Sequence, residues 1–203
     1  MIPLRPDEIL AMAVAVSFAA GLNVYAAAAT LGLLAQADLV ALPPALHVLE
    51  SWWTIGISGL LFVVEFFADK VPVFDLVWNA LQTFVRVPAA ALLAWSASSS
   101  LPPAAQAIAA LAGGGISLVA HGGKLALRGA VTPSPEPFSN IALSVGEDVA
   151  AIALTWVATQ HPWIAATVTV LLLILIVLLM RWVLRALRKA FTGLRGRSAA
   201  PSS

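Results

Sequence analysis

Five ionisable side chains interrupt a stretch of sequence that is otherwise apolar enough to lie in a membrane. Carboxylates close to cations can exchange protons, bind a charged solute, or hold one another in buried ion pairs. These are forms of ion chemistry rather than nucleophilic catalysis. The stretch FVVEFFADKVPVFDLVWNALQTFVRVP, residues 62–88, contains Glu65, Asp69, Lys70, Asp75 and Arg86.

Further polar side chains recur at helical spacing in the segments that follow. A charge that faces hydrocarbon costs at least ~2.5 kcal/mol, so we expect these polar stripes to face one another across a polar seam. The third segment contributes Asp75, Asn79, Gln82, Thr83 and Arg86; the fourth contributes Ser117, His121, Lys124 and Arg128; the fifth contributes Asn140, Ser144, Glu147, Asp148 and Thr155.

Arg86 lies near the middle of its predicted helix, too far from either end to reach the membrane surface. It therefore needs an acidic partner, for which Glu147 is the first candidate and Glu65 the second. Such a pair could belong to a transport pathway or could be a clamp that fixes helix packing. His121 is compatible with a functional role and also with simple polar packing.

The composition indicates that a lipid bilayer is the solvent of this chain. Of its 203 residues, 61% are hydrophobic and only 10% are charged, and the mean hydropathy is +0.94. A soluble domain carries about 25% charged residues. The net charge of +1, without a basic stripe outside the C-terminal tail, argues against nucleic-acid binding. The absence of cysteine excludes disulfides and thiolate metal sites.

The hydropathy pattern predicts an all-α, polytopic membrane helix bundle with six transmembrane helices. The first segment lacks a signal-peptide cleavage site, so we expect it to be retained. Lys and Arg concentrate on one side of this topology, which predicts that both termini are cytoplasmic. The predicted spans are residues 9–33, 52–69, 74–97, 104–128, 139–159 and 163–185. Residues 1–190 form one membrane domain, and residues 191–203 form a disordered cytoplasmic tail.

Six helices divide into three plus three, which would make the two halves, residues 8–98 and 101–190, an inverted repeat. The first helix of each half contains glycine at similar depth, Gly21 in one and residues 113–115 in the other. Glycines at matching positions can mark broken helices that form a binding site. The alternative, which an alanine-rich chain favours, is that they serve close helix packing, because small residues let backbones approach one another.

The fifth segment begins after the proline-spaced loop TPSPEPF, residues 132–138. Ser139 or Asn140 can cap this helix, and capping alone explains both residue types. The positive end of the helix, next to Lys124 and Arg128, could instead receive an anion.

At GLNVY, at EFFADKVPVFDLVWNALQTFVRVPAAALLA and at SPEPFSNIALSVGED, the chain resembles the bacterial membrane family called domain of unknown function 4126. The resemblance spans about residues 9–190 and implies a membrane protein without implying an activity. The family motif positions in this chain are Asn23, Glu65, Asp69, Lys70, Asp75, Arg86, Pro88, Ser134, Pro135, Glu136, Asn140, Glu147 and Asp148.

These observations favour a small transporter or channel-like permease of the bacterial inner membrane. Glu65, Glu147 or Asp148 could couple transport to the movement of protons. The alternative is a structural or assembly protein whose ion network only fixes packing. No catalytic triad, zinc-ligand cluster or phosphate loop is present, so we expect no enzyme, metal or cofactor. Expected partners are the lipid bilayer and a small solute or ion, and an oligomer is compatible with the sequence. Candidate pathway residues are Asn23, Glu65, Asp69, Arg86, His121, Lys124, Asn140, Glu147 and Asp148.

Overall fold

A computed structural model of the protein describes the backbone of residues 5–70, 72–131 and 137–198. Side chains are described for residues 5–70, 77–127 and 141–185. The regular secondary structure in these residues is helical throughout. It comprises α1 (Pro6–Gln36), the short 3-10 helix η1 (Pro44–Glu50), α2 (Trp52–Ala68), α3 (Pro72–Ala97), α4 (Pro103–Val131), α5 (Pro137–Gln160) and α6 (Pro162–Ser198).

Proline sets where these helices begin. Every helix except α2 starts at a proline, a residue whose fixed φ suits the first helical turn and whose missing N–H is not needed there. The helix boundaries lie within three residues of those that the sequence predicts, except at the end of α6, where the predicted span stops at residue 185 and the helix continues to Ser198. The division into a membrane domain and a disordered tail stays a prediction, and α6 is helical to Ser198.

The helix lengths and hydropathies are those of a multi-pass membrane protein. Four helices are long and apolar enough to cross a bilayer, namely α1, α4, α5 and α6. A fifth span results if η1 and α2, which meet at 64°, are taken together. Six transmembrane helices are not shown, because α3 is not among these candidates and α2 counts only together with η1.

The first helix is broken and folds back on itself. Asn23 has φ −152° and ψ 104°, an extended conformation inside α1. Met12 and Leu31, on either side of this break, line the same small cavity together with Ala94 of α3. In a straight helix, residues 19 positions apart would be separated by about 28 Å. α1 is therefore a helical hairpin of two halves, α1a (residues 6–22) and α1b (residues 24–36), with its tip at residues 21–23.

Both ends of the α1 hairpin lie on one face of the bundle, which we call the η1 face. Leu10 near the start of α1a shares a cavity with Leu101, in the connection between α3 and α4. At the end of α1b, the side-chain amide of Gln36 donates a hydrogen bond to the carbonyl of Glu50 in η1. Because the hairpin enters and leaves on the same face, α1 does not supply the single crossing that the six-span prediction requires.

The α1 hairpin occupies the centre of the bundle and packs against every other helix. Its most apolar stretch is 78% buried inside the protein, whereas that of α6 is only 11% buried. Small residues such as Ala15, Ala19 and Ala27 are fully buried along it, which allows close helix packing. α6 is thus left with a largely exposed apolar surface that suits contact with lipid.

Two of the glycines identified in the sequence serve close packing. A Cβ on Gly21 would lie 2.7 Å from the carbonyl oxygen of Ser117, and one on Gly113 would lie 2.8 Å from the hydroxyl of Ser17. The helix α1 breaks two residues after Gly21, whereas α4 is helical across its glycines at residues 113–115. The inverted repeat is not shown.

Candidate functional site

The break at the tip of α1 is capped by the side chain of Asn23. Its Oδ1 accepts a hydrogen bond of 2.9 Å from the backbone N–H of Ala26, as expected of an N-cap residue at the start of α1b. Its Nδ2 donates a hydrogen bond of 2.9 Å to the carboxylate of Asp148 on α5. One buried side chain therefore stabilises the break and attaches it to a neighbouring helix.

The last carbonyls of α1a accept hydrogen bonds from two buried cations. In a continuous helix, Gly21 and Leu22 would pair with backbone N–H groups four residues later. Here Nη1 of Arg86 on α3 donates to the carbonyl of Gly21 over 3.2 Å. Nζ of Lys124 on α4 donates to the carbonyl of Leu22 over 3.4 Å. The negative end of a half-helix is thus satisfied by positive side chains, which is the favourable arrangement.

The guanidinium of Arg86 forms an ion pair with Glu65 on α2, and both side chains are 0% exposed. The prediction that Arg86 needs an acidic partner is confirmed. The prediction that Glu147 is the first candidate for this partner is wrong, because Glu147 pairs with Lys124 instead. The sequence could not rank the two acids, since hydropathy says nothing about which helices are neighbours.

His121 holds the guanidinium from the other side. Nη1 of Arg86 donates to its Nδ1 over 2.9 Å. Because a guanidinium has only donors, Nδ1 must accept, and the imidazole is neutral with its proton on Nε2. This Nε2 lies 3.0 Å from the carbonyl of Asn79 and 2.9 Å from the hydroxyl of Thr83, both on α3. His121 therefore fixes the position of Arg86 without adding charge.

Lys124 is shared by three carboxylates. Its Nζ lies 2.9 Å from Asp69, 3.2 Å from Glu147 and 3.8 Å from Glu65. The side chain is 0% exposed. A single ammonium group has three protons, and one of these is directed at the Leu22 carbonyl. The three carboxylates therefore compete for the remaining donors.

We call the charged and polar residues around the tip of α1 the ion network. Within it, four carboxylates face two cations, and Asp69 and Glu147 also interact with further groups. The second oxygens of Glu65 and Asp148 are buried without a hydrogen-bond partner among the described residues. The set can take up protons or a cationic group. Its members are Asn23, Glu65, Asp69, Arg86, His121, Lys124, Glu147 and Asp148.

Glu147 connects the ion network to the protein surface. Its side chain is 10% exposed, whereas those of Glu65 and Lys124 are fully buried. It lines an open groove of about 630 Å³ between α1, α5 and α6, whose other walls include Phe18 and Leu172. Glu147 is the one charged side chain among the described residues that line this groove.

The structure brings together eight of the nine pathway residues that the sequence predicts. The ninth, Asn140, and the seam residues Asp75 and Arg128 have side chains outside the described part. Lys70 is placed differently: it donates to the carbonyl of Phe66 over 2.7 Å and lies over the ring of that residue.

Sequence reasoning missed the backbone part of the site. The carbonyls of Gly21 and Leu22 and the hydroxyl of Tyr25, which accepts a hydrogen bond of 3.1 Å from Gln82, all surround the break. Asparagine is unfavourable in a helix interior and favourable as an N-cap. Asn23 in an alanine-rich segment was therefore the sequence signal that could have indicated the break in α1.

A family model for the domain of unknown function DUF4126 matches residues 10–182. The chain belongs to the DUF4126 family. The matched region contains every member of the ion network. No curated protein and no solved structure matches this DUF4126 protein. Within the described residues it also has no cluster of three or more acidic or histidine side chains suited to a metal ion.

Proposed function

We propose that this DUF4126 protein is a small membrane transporter or channel-like permease, in which a small solute passes the tip of the α1 hairpin and protons drive its movement. The observation that carries the proposal is the broken α1, whose freed carbonyls meet Arg86 and Lys124. Discontinuous helices with half-helix ends near mid-membrane are typical of transporter sites. Ionisable groups inside a membrane are functional candidates by default.

Lys124 is the group through which protons would act on the hairpin. When one of its carboxylates, such as Glu147, takes up a proton, the attraction to that carboxylate weakens. The ammonium then moves toward its other carboxylate neighbours, Glu65 on α2 and Asp69 directly after α2. Because Lys124 also holds the carbonyl of Leu22, this movement changes the contacts of the tip.

The hairpin is the element best suited to alternate between two positions. It lies in the centre of the bundle, and both its ends lie on the η1 face. A shift of the tip relative to α4 and α5 would expose the ion network alternately toward the two faces, as in alternating-access transporters. No step of this proposal requires covalent chemistry, so we assign no enzymatic activity.

We propose an orientation that differs from the one predicted from sequence. Because α1 starts and ends on the η1 face, the N-terminus lies on that face and the C-terminal part of α6 on the other. Arg181 and Arg185 then mark the cytoplasmic face of a bacterial inner membrane, and Arg5, paired with Asp7 at 3.3 Å, lies outside. Five exposed tryptophans support the η1 face as one membrane boundary: Trp52, Trp53, Trp95, Trp156 and Trp163.

A structural or assembly role is the second candidate. The observation that favours it is the complete burial of Arg86, Glu65 and Lys124, each with an ionic partner. A buried network of ion pairs can fix helix packing without any transport. This function predicts no flux, and a loss of stability whenever one partner is removed.

Purified protein in proteoliposomes distinguishes the two functions. An inside-negative potassium diffusion potential is applied, and proton uptake is followed with pyranine, alone and with inward and outward gradients of small amines, amino acids and neutral solutes. The transporter predicts uptake above that of protein-free vesicles and at least a tenfold decrease in Glu147→Gln. The matched control is Glu50→Gln, because Glu50 lies in η1 away from the ion network. Absence of uptake under every gradient, with folded protein, would contradict transport.

A further inference from the structure

Asp148 differs from the other acids of the ion network in its partners. The other three carboxylates each form an ion pair with Arg86 or Lys124. Asp148 forms no ion pair with any lysine or arginine whose side chain the structure describes. The one hydrogen bond that its carboxyl group accepts from a described residue comes from the uncharged amide of Asn23, at 2.9 Å.

Burial makes a negative charge on Asp148 unfavourable. The residue is only 4% exposed, and its Oδ2 is buried without a hydrogen-bond partner among the described residues. A carboxylate in such a place loses its hydration and gains one hydrogen bond from a neutral group in return. The uncharged, protonated form is therefore favoured.

The charged groups around Asp148 do not reverse this preference. The cation that acts on it most strongly is Lys124 on α4, whose ammonium group already pairs with three other carboxylates. α1 contributes only the neutral Asn23, and α6 has no Asp, Glu, Lys or Arg before Arg181. The acids that repel a negative charge on Asp148 are Glu65, Asp69 and Glu147.

Ser144 provides a polar neighbour that suits both protonation states of Asp148. It lies one turn earlier on α5, is 0% exposed, and its hydroxyl has no hydrogen-bond partner among the described residues. The Cβ atoms of residues four apart in a helix are about 5–6 Å apart, so side-chain rotation brings the two oxygens within reach of a hydrogen bond. A hydroxyl can accept from a protonated carboxyl group and donate to an ionised one.

We propose that Asp148 is the proton-binding group of this protein and that its proton controls how firmly the tip of the α1 hairpin is attached to α5. Oδ1 accepts from Asn23, so the proton is on Oδ2. Loss of this proton makes the hydrogen bond from Asn23 charge-assisted and about twice as strong, which tightens the tip against α5. The link to hairpin movement rests on the proposed function, whereas the proton on Asp148 does not.

Infrared spectroscopy detects the proton directly, because a protonated carboxyl group has a carbonyl-stretch band that ionised carboxylates lack. Films of the full-length protein in ether lipids, which have no ester carbonyl, are perfused from neutral to alkaline buffer. We expect the band to decrease in the wild type and to be missing in Asp148→Asn. The matched control is Asp38→Asn, which changes an exposed aspartate outside the ion network and should leave the band intact.

Labelling the wild-type protein with aspartate that contains carbon-13 in its side-chain carboxyl group should shift the band. This assigns the band to an aspartate even if a variant fails to fold. Equal bands in the wild type and Asp148→Asn, or a wild-type band that the label does not shift, would overturn the proposal. An Asp148-dependent band without proton uptake in proteoliposomes would support the proton site and contradict the proposed function.

The control of the hairpin tip is tested with Asn23→Ser, which keeps a capping oxygen at the break but removes the amide donor to Asp148. Without the charge-assisted hydrogen bond, the charged form of Asp148 is less stable. The infrared band should therefore persist in this variant to a pH about one unit higher than in the wild type. An unchanged midpoint would show that the proton on Asp148 does not affect the attachment of the tip.

Discussion

The side-chain amide of Asn23 on α1 donates a hydrogen bond of 2.9 Å to the carboxylate of Asp148 on α5. The same residue caps α1b through the N–H of Ala26. Asn23 therefore has two tasks: it closes the break in the hairpin, and it joins the tip to the ion network. A helix break inside a membrane protein is tolerated only where such partners satisfy its backbone groups.

Replacement of Asn23 should accordingly weaken the fold. Asn23→Ala removes the cap and leaves Asp148 without its amide donor, and we expect a loss of about 1–3 kcal/mol in the free energy of unfolding. Asn23→Ser keeps a capping oxygen but cannot reach Asp148 in the same way, so its free energy of unfolding should lie between those of the wild type and Asn23→Ala. Unfolding in mixed micelles measures this order. Equal stability of all three proteins would show that the cap is unimportant.

Removal of one partner of the buried ion pair between Arg86 and Glu65 should cost more stability than removal of both. Arg86→Met alone leaves the buried carboxylate of Glu65 without its closest cation, so we expect a loss of about 3–5 kcal/mol. Combining it with Glu65→Leu removes both charges and should recover part of that loss. A double-mutant cycle from denaturant unfolding measures the recovery. Strict additivity of the two single effects would contradict the pairing.

Glycine substitutions test the close contact between the hairpin and α4. Gly21→Ala should destabilise the protein, because the new Cβ would lie 2.7 Å from the Ser117 carbonyl oxygen. Gly115→Ala is the control, since a Cβ there meets nothing within 4 Å. That change should be neutral or stabilising by up to about 1 kcal/mol, the helix preference for alanine over glycine. Thermal melting compares them; equal losses would argue against this packing.

The termini should lie on opposite sides of the membrane. The natural chain has no cysteine, so single cysteines can be introduced without background. In right-side-out membranes, Asp7→Cys and Ser99→Cys, both on the η1 face, should react with a membrane-impermeant maleimide, whereas Arg185→Cys should react only after permeabilisation. Equal protection of Asp7→Cys and Arg185→Cys would restore the topology with both termini on one side.

The sequence was sufficient to predict the helices and the inward direction of the charges. Prolines and apolar stretches fix the boundaries, and the cost of a charge in hydrocarbon requires Glu65, Arg86, Lys124 and Asp148 to point inward. It was not sufficient to predict the hairpin. A 31-residue apolar helix has the same hydropathy whether it crosses the bilayer or folds back, and only the backbone at Asn23 distinguishes the two.

The sequence was likewise not sufficient to predict which charged side chains pair with one another. Arg86 could have met either Glu147 or Glu65, because helical spacing defines a face but not the neighbour that this face contacts. The central position of α1 settles the matter, since it separates α3 from α5 and leaves Arg86 facing α2.

Spin labels on the two ends of α1 test the folded-back hairpin most directly. Labels are attached to Asp7→Cys and Leu33→Cys in nanodiscs, and their separation is measured by double electron–electron resonance. With arms of about 24 and 15 Å from the tip, the hairpin predicts a distance below about 25 Å. A distribution centred near 39 Å, the length of about 26 residues of straight helix, would contradict the hairpin and the site built on its tip.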